Sequence, residues 1–474
     1  ELKKKKKVKQ DAISILRGIS IRMPLMIYGA DIDDKKEEIT IDNFASLIDP
    51  LSWEEFMPRG VSKQRFNAFR KYYDPDVFAA AAKRIREMVR SADRLSIEQR
   101  IERITQLFAT FRNPDKETVL TPWRVVNMHI SDTLGGYCFL DKDFKETIAE
   151  PRFVDRGKVT AEVFNPDTRI LEINSKTGLY PLYMAYSTYR ARLRDELTSV
   201  ETVEDEWAVW AKTVRENIFV VCKTPMAQRI TRRTLVGFRD LRVNTRHFED
   251  LINQIKNKPA NFIEKVCKGK TYGGNINDNN MKFNAIVGNP PYQEEGISSR
   301  KAPIYHLFYD VAFKIAPKVT LITPGRFLFR AGQTPREWMD RMLNDEHFKV
   351  VMYVKKSTDI FPNVDIKGGV AITYRDEDQN FGIIGNYSEY EELRSILQKV
   401  KEHQSSQEGT FADLISSQGI YKFSDTAFEE HPEIYDIQGT GTASKITSNA
   451  FEHLPLVFLD TEPETPTDYI QIYG

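Results

Sequence analysis

Cysteine is scarce: Cys138, Cys222 and Cys267 stand far apart in a chain of 474 residues. Such spacing argues against a disulfide framework and points to a reducing compartment, so a cytoplasmic protein is expected. No run is apolar enough over enough residues to span a bilayer, and no signal-peptide pattern opens the chain, so no membrane partner is expected. Charge of one sign is missing too. Lys+Arg and Asp+Glu both number 68, so only local charge can argue for a nucleic-acid partner. The seven histidines have no ligand spacing, and no metal site is expected. Gly269-Lys270-Thr271 is not a phosphate loop, because Glu264 stands where its first glycine is required. What remains is ordinary for a folded protein, 41% apolar and 29% charged, and long enough for two or three domains.

Along the chain, a basic run at Lys3–Lys7 reads as a solvated helix start or as a contact for phosphates. Apolar residues recur at helical spacing through Phe78, Ile85 and Val89, and again through Ile97, Ile101, Ile104 and Phe108. Asp74-Pro75 and Ser96 with Gln99 are plausible helix starts. Residues 1–115 therefore read as a helical coupling region without chemistry. Residues 376–474 turn polar, with a loop-like Gln404–Gly409, and read as the beginning of a separate module. A first residue other than methionine and a strand-like Tyr469–Tyr473 at the end suggest a piece of a longer protein.

The central stretch is Phe283-Asn284-Ala285-Ile286-Val287-Gly288-Asn289-Pro290-Pro291-Tyr292. Its apolar run predicts a buried strand, and the two prolines hold the chain after it in an extended shape. Asn289 then sits at the carboxyl end of a strand, the edge where open α/β sheets bind ligands. A proline-rich turn closing a strand would need no more than this. The residue types also suit methylation of an exocyclic amine, because Asn289 Oδ1 and the Pro290 carbonyl can accept its two N–H groups. Tyr292 offers an aromatic face to an extruded base.

This stretch resembles the catalytic motif of the amino-methyltransferases, above all the DNA adenine-N6 group, with Asn289, Pro290, Pro291 and Tyr292 as its core. The resemblance covers residues 116–375. It implies an α/β fold: a doubly wound, mostly parallel seven-stranded Rossmann-like sheet with an antiparallel last strand. Flanking it are an N-terminal helical region and a partial C-terminal module at 376–474, the start of a target-recognition domain. The cofactor implied is S-adenosylmethionine. Ile170–Tyr180 reads as strand, turn and helix, with Glu172 and Gly178 matching the cofactor loop and Ile173 and Lys176 departing from it. Thr121 is expected to cap a helix opening with Pro122, and at this place it resembles the element that opens the cofactor pocket. Asn217–Cys222 reads as the second strand. The acid that usually follows it to hold the ribose is absent from Cys222-Lys223-Thr224, which predicts weak cofactor binding.

Val319–Pro324, Val350–Val354 and Gly369–Tyr374 read as later strands. Phe361 stands where the family places a second aromatic against the base, or else is a core phenylalanine beside a turn. Arg229, Arg232, Arg233, Arg239, Arg242 and Arg246 crowd one segment. They form either a phosphate-contacting face or an exposed helix paired with acids elsewhere. The order of motifs is similar to that of the methyltransferase part of large restriction–modification proteins, type IIG-like or helicase-fused. The implied partner is double-stranded DNA, with helicase or nuclease domains on the same longer chain. Methylation of RNA or of a protein glutamine amide, and a non-catalytic DNA-binding module, are the other readings of the same motif.

Overall fold

The computed structural model describes residues 2–33, 36–111, 120–195, 199–273, 276, 278–294, 302–362 and 364–403, then 422–423, 428–429, 432–434, 446 and 472–473. Gln404–Gly409 and residues 469–471 of the terminal run lie outside them. The chain divides into two units, Glu1–Glu389 and Tyr390–Gly474. The second carries a helix, Glu391–His403, and a two-residue antiparallel pairing of Lys422–Phe423 with Ile472–Tyr473.

In the first unit, β1 (Gly136–Leu140) and β2 (Thr147–Val154) form a separate hairpin. The main sheet holds β3 (Ile170–Ser175), β4 (Ile218–Cys222), β5 (Asn244–His247), β6 (Ala285–Gly288), β7 (Lys318–Pro324), β8 (Phe348–Val354) and β9 (Val370–Asp376). Its order is β5-β4-β3-β6-β7-β9-β8. All neighbouring pairs are parallel except those of β9, which runs antiparallel between β7 and β8. This is the doubly wound sheet expected, its last strand in chain order reversed.

Helices cover both faces, so the central strands are buried on both sides and read as unbroken apolar runs. Successive residues alternate between two cores. Ile170, Ile218, Val220 and Val287 join the one that includes the N-terminal helices. Leu171, Ile173, Phe219, Val221 and Ile286 join the other. The direction of winding reverses between β3 and β6, and a crevice opens there at the carboxyl ends of the strands.

Asp74 and Ser96 do cap helices, Pro75–Ala92 and Ile97–Thr110. These helices dock on the sheet unit through charge as well as apolar surface. Arg100, 1% exposed, donates to the carbonyls of Arg233, Thr234 and Leu235 at the end of the Pro225–Val236 helix. The last carbonyls of a helix lack the i+4 partners of its interior, though Arg233 O also accepts from the capping Gly237 N–H, and a buried cation there meets both their hydrogen-bonding need and the helix dipole. No helix among the described residues is long and apolar enough to cross a membrane.

Candidate active site

Gly288 ends β6, beside Leu321 of β7, and Val287 pairs with Glu172 of β3. At a φ of 154° Gly288 holds a backbone conformation that residues with side chains rarely adopt, while a Cβ there would meet Glu172 Cγ at an ordinary 3.5 Å. The chain after it is pinned. Ile304 N–H donates to the Tyr292 carbonyl at 3.2 Å, Glu294 N–H donates to Ala302 at 2.9 Å, and Gln293 bridges Pro303. Asn289 is thereby fixed at the rim of a cavity of about 220 Å³, together with Pro290, Pro291 and Tyr292. Asn174 near the end of β3, Lys176 just after it, Lys223 after β4, and Arg326 line it as well.

The orientation of the Asn289 amide is set by Thr121, whose Oγ1 accepts a hydrogen bond from Nδ2 at 3.0 Å. With Nδ2 so held, Oδ1 is a buried acceptor with no partner. The Tyr292 hydroxyl is buried too, beside the Asn289 side chain, whose hydrogen-bonding pull partly opposes the effect of burial on its ionisation. Burial pushes the ionisation of Tyr292 far up, so it stays a neutral ring.

The helix expected from Thr121 starts later. It runs Trp123–Thr133 with Pro122 at its cap position and no side-chain cap bond. Proline lacks an N–H, and the Thr121 hydroxyl is engaged with Asn289 instead. Thr121 therefore acts on the amide and not on the helix.

Of the other residues singled out for the cofactor, Glu172 is buried one step behind the cavity wall, with Oε2 unpartnered. Burial pushes its carboxyl up to about 8, a Ser175 hydrogen bond opposing the shift. Gly178 turns away from the cavity. At a φ of 74°, a Cβ there would come within 2.9 Å of Thr231 Cα, so it permits close packing of the Leu179–Asp195 helix on its neighbour. Asn174, at a φ of 72° near the end of β3, and Lys176, which follows the strand, reach the cavity.

Phe361 is not at the site. It is fully buried among Val125, Met128, Ile322, Val364, Val370 and Ile372, where it fills the gap between the Trp123–Thr133 helix and the sheet. A base cannot stack on a ring enclosed by core side chains, so this is the core phenylalanine.

Arg229, Arg232, Arg233 and Arg239 are engaged within the chain rather than arrayed as a phosphate-contacting face, while Arg242 and Arg246 are exposed. Arg233 is 8% exposed and donates to the carbonyls of Tyr28 and Ala30. Arg229 donates to Gly29 O at 3.1 Å, and Arg232 to Leu241 O at 3.1 Å. Arg239 makes two 2.8 Å bonds to Glu204 and lies over the Trp207 ring. The N-terminal helices cover this side of the sheet, and Arg229 and Arg233 satisfy the carbonyls at the end of the Leu2–Gly29 helix. Glu55 is the residue the sequence reading missed. It lies in the Pro50–Phe56 helix, is 6% exposed, and lines the cavity. No group of three or more potential metal-ligating residues occurs among the described residues.

Residues 216–361 match the family model described as Eco57I restriction-modification methylase. An uncharacterized adenine-specific methylase of Mycoplasma pneumoniae is 32% identical over 95 residues, 19% of this chain and 22% of that protein. The chain thus matches about a fifth of the length of that curated relative. Among solved structures, the type I restriction-modification methyltransferase subunit from Streptococcus thermophilus aligns over 86% of this chain and 73% of its own, at 12% identity and a TM-score of 0.36. The Type ISP restriction-modification enzyme LlaBIII, solved bound to DNA, aligns over 95% and 35%, at 13% identity and a TM-score of 0.38. The matched segment contains β4 to β8 and the Asn289–Tyr292 motif, and leaves Thr121 and the β3 loop outside it. Under a third of the chain, residues 216–361, is thus similar to the Eco57I restriction-modification methylase family.

Proposed function

We propose that this chain is the methyltransferase part of a restriction–modification protein, and that it methylates the N6 amine of an adenine extruded from duplex DNA. The observation that carries this reading is the Asn289 amide: anchored through Nδ2, with Oδ1 a buried acceptor lacking a donor, at the rim of the cavity where the winding reverses. The lone pair of an adenine amine is delocalised into the ring. Asn289 Oδ1 and the Pro290 carbonyl accept its two N–H groups, draw the nitrogen toward tetrahedral geometry and localise that lone pair. Tyr292, neutral and half-buried, stacks on the base.

S-adenosylmethionine supplies the electrophilic methyl group when bound. The residues present suit it. Glu172 Oε2 is an orphaned acceptor for a cation, and the Asn174–Lys176 stretch brings backbone to the cavity. In this reading residues 116–375 are the catalytic domain, 1–115 couple it to neighbouring helicase or nuclease domains, and 376–474 begin target recognition. The place of action is the cytoplasm.

Labelled methyl groups offered to duplex DNA, RNA and protein test the assignment. Label on adenine N6 of DNA is expected. Label on RNA or protein alone would change the substrate class, and none on any acceptor would remove the activity. Thr121→Val should slow single-turnover methylation about tenfold, the worth of one neutral hydrogen bond of roughly 1.4 kcal/mol. Thr121→Ser should keep the parent rate. Equal rates for all three proteins would mean that Thr121 does not orient Asn289.

A further inference from the structure

In doubly wound folds an acid at the end of the second strand commonly takes the ribose hydroxyls of a bound nucleoside. Here the second strand, β4, ends in Cys222-Lys223-Thr224, which offers none. A carboxylate is nevertheless present at that place. Thr224 Oγ1 donates to Glu55 Oε2, across 169 residues of sequence, and Glu55 lies close enough to Cys222 to disfavour its thiolate. Glu55 and Lys223 line the same cavity as Asn174 and Asn289.

The helix that carries Glu55 is held firmly. Asp49 caps it by accepting from Ser52 N–H at 2.9 Å. Trp53 and Phe56 are buried in the core. One turn before Glu55, Ser52 Oγ accepts from Met226 N–H at 3.0 Å, in the first turn of the Pro225–Val236 helix. Thr224 caps that helix by accepting from Ala227 N–H at 3.2 Å while its own hydroxyl points to Glu55. Two side chains a turn apart thus lock the Pro50–Phe56 helix onto the residues that follow β4.

We infer that Glu55, supplied by the N-terminal helical region, is the acid that binds the ribose cis-diol of the adenosyl cofactor, in place of the one missing after β4. A carboxylate has two oxygens and about four lone-pair sites, so ribose hydroxyls add to the Thr224 bond and do not displace it. Hydroxyl donors to a charged carboxylate form the stronger class of hydrogen bond. The N-terminal helices then complete the cofactor pocket. The inference rests on the proposed methyltransferase reading.

The test is a double-mutant cycle on binding, with no turnover involved. S-adenosylhomocysteine and its 2′,3′-dideoxy counterpart are titrated into the full chain, with and without duplex DNA, for the parent and for Glu55→Gln. The variant keeps an oxygen for Thr224 and loses the charge. It should lose about ten- to a hundredfold in affinity for the ribose ligand, and no more than about twofold for the dideoxy ligand. Glu55→Asp should lose affinity for the ribose ligand alone, by less. Thermal unfolding of each variant gives the folded fraction. Equal losses for the two ligands would make Glu55 a structural cap and overturn the inference, as would no loss for either. A parent that binds neither ligand under any condition would instead overturn the methyltransferase reading itself, and the inference with it.

Discussion

Asn289→Ala is expected to methylate DNA roughly 10²–10³-fold more slowly than the parent, the usual cost of removing one preorganised group that meets charge developing in a transition state. DNA affinity should stay within about twofold, because the amide faces the amine and not the phosphates. The size of the effect follows from how the side chain is held. Nδ2 is committed to Thr121, so Oδ1 faces the reacting amine with no reorganisation to make. Asn289→Asp separates geometry from charge. One of its oxygens can accept from the Thr121 hydroxyl, turned to donate, and leave the other toward the amine, so it should be slowed less than the alanine variant. Single-turnover methylation and filter binding on the same duplex measure the two quantities. Parent-like methylation by the alanine variant would remove Asn289 from the chemistry.

The sheet was legible where strands are buried on both faces. Ile170–Ser175, Ile218–Cys222 and Lys318–Pro324 are fully buried, and each was expected from an apolar run. β5 was not, because Asn244-Thr245-Arg246-His247 is a polar edge strand whose only sheet neighbour is β4. The β1–β2 hairpin escaped for a similar reason: no residue of β2 is fully buried, and it has no clean alternation. The placing of Asn289 at a strand end was legible because its motif is contiguous. Its dependence on Thr121 was not, since a threonine before a proline reads equally well as a cap. Phe361 and the arginines were misjudged through tertiary context. Nothing local tells an aromatic beside a turn which way it faces, or a basic helix that another helix will cover it. Glu55 left no local signal at all, because what makes it part of the cavity is contact with residues far away in sequence, Thr224 among them.

Glu172 should make the fold less stable as pH rises, and Glu172→Gln should remove that dependence. The carboxyl is buried beside Tyr180, Cys222 and Ser175, none of them cationic, and burial holds its pKa at about 8 against 4.5 for an ordinary glutamate. Below the ordinary value both folded and unfolded chains keep the proton, and pH costs nothing. Between about 4.5 and 8 only the folded chain keeps it, so stability falls by roughly 1.4 kcal/mol per pH unit. Above 8 both states are ionised and the loss stays at its full size. Urea unfolding at pH 5, 6.5 and 8 should therefore separate parent and Glu172→Gln by a few kcal/mol at pH 8, the variant being the more stable, with a smaller gap at pH 5. An acid that costs this much stability fits a site for binding a cation better than a structural position. In the methyltransferase reading that cation is the sulfonium or ammonium of S-adenosylmethionine, whose binding ionises Glu172 and releases a proton at neutral pH. Calorimetric titration in two buffers of different ionisation heat measures that proton, and the Glu172→Gln variant should release none and bind at least tenfold more weakly. A parent that releases no proton would leave Glu172 a buried neutral acid with no part in cofactor binding. A variant no more stable than the parent at pH 8 would mean that its carboxylate is already satisfied within the fold.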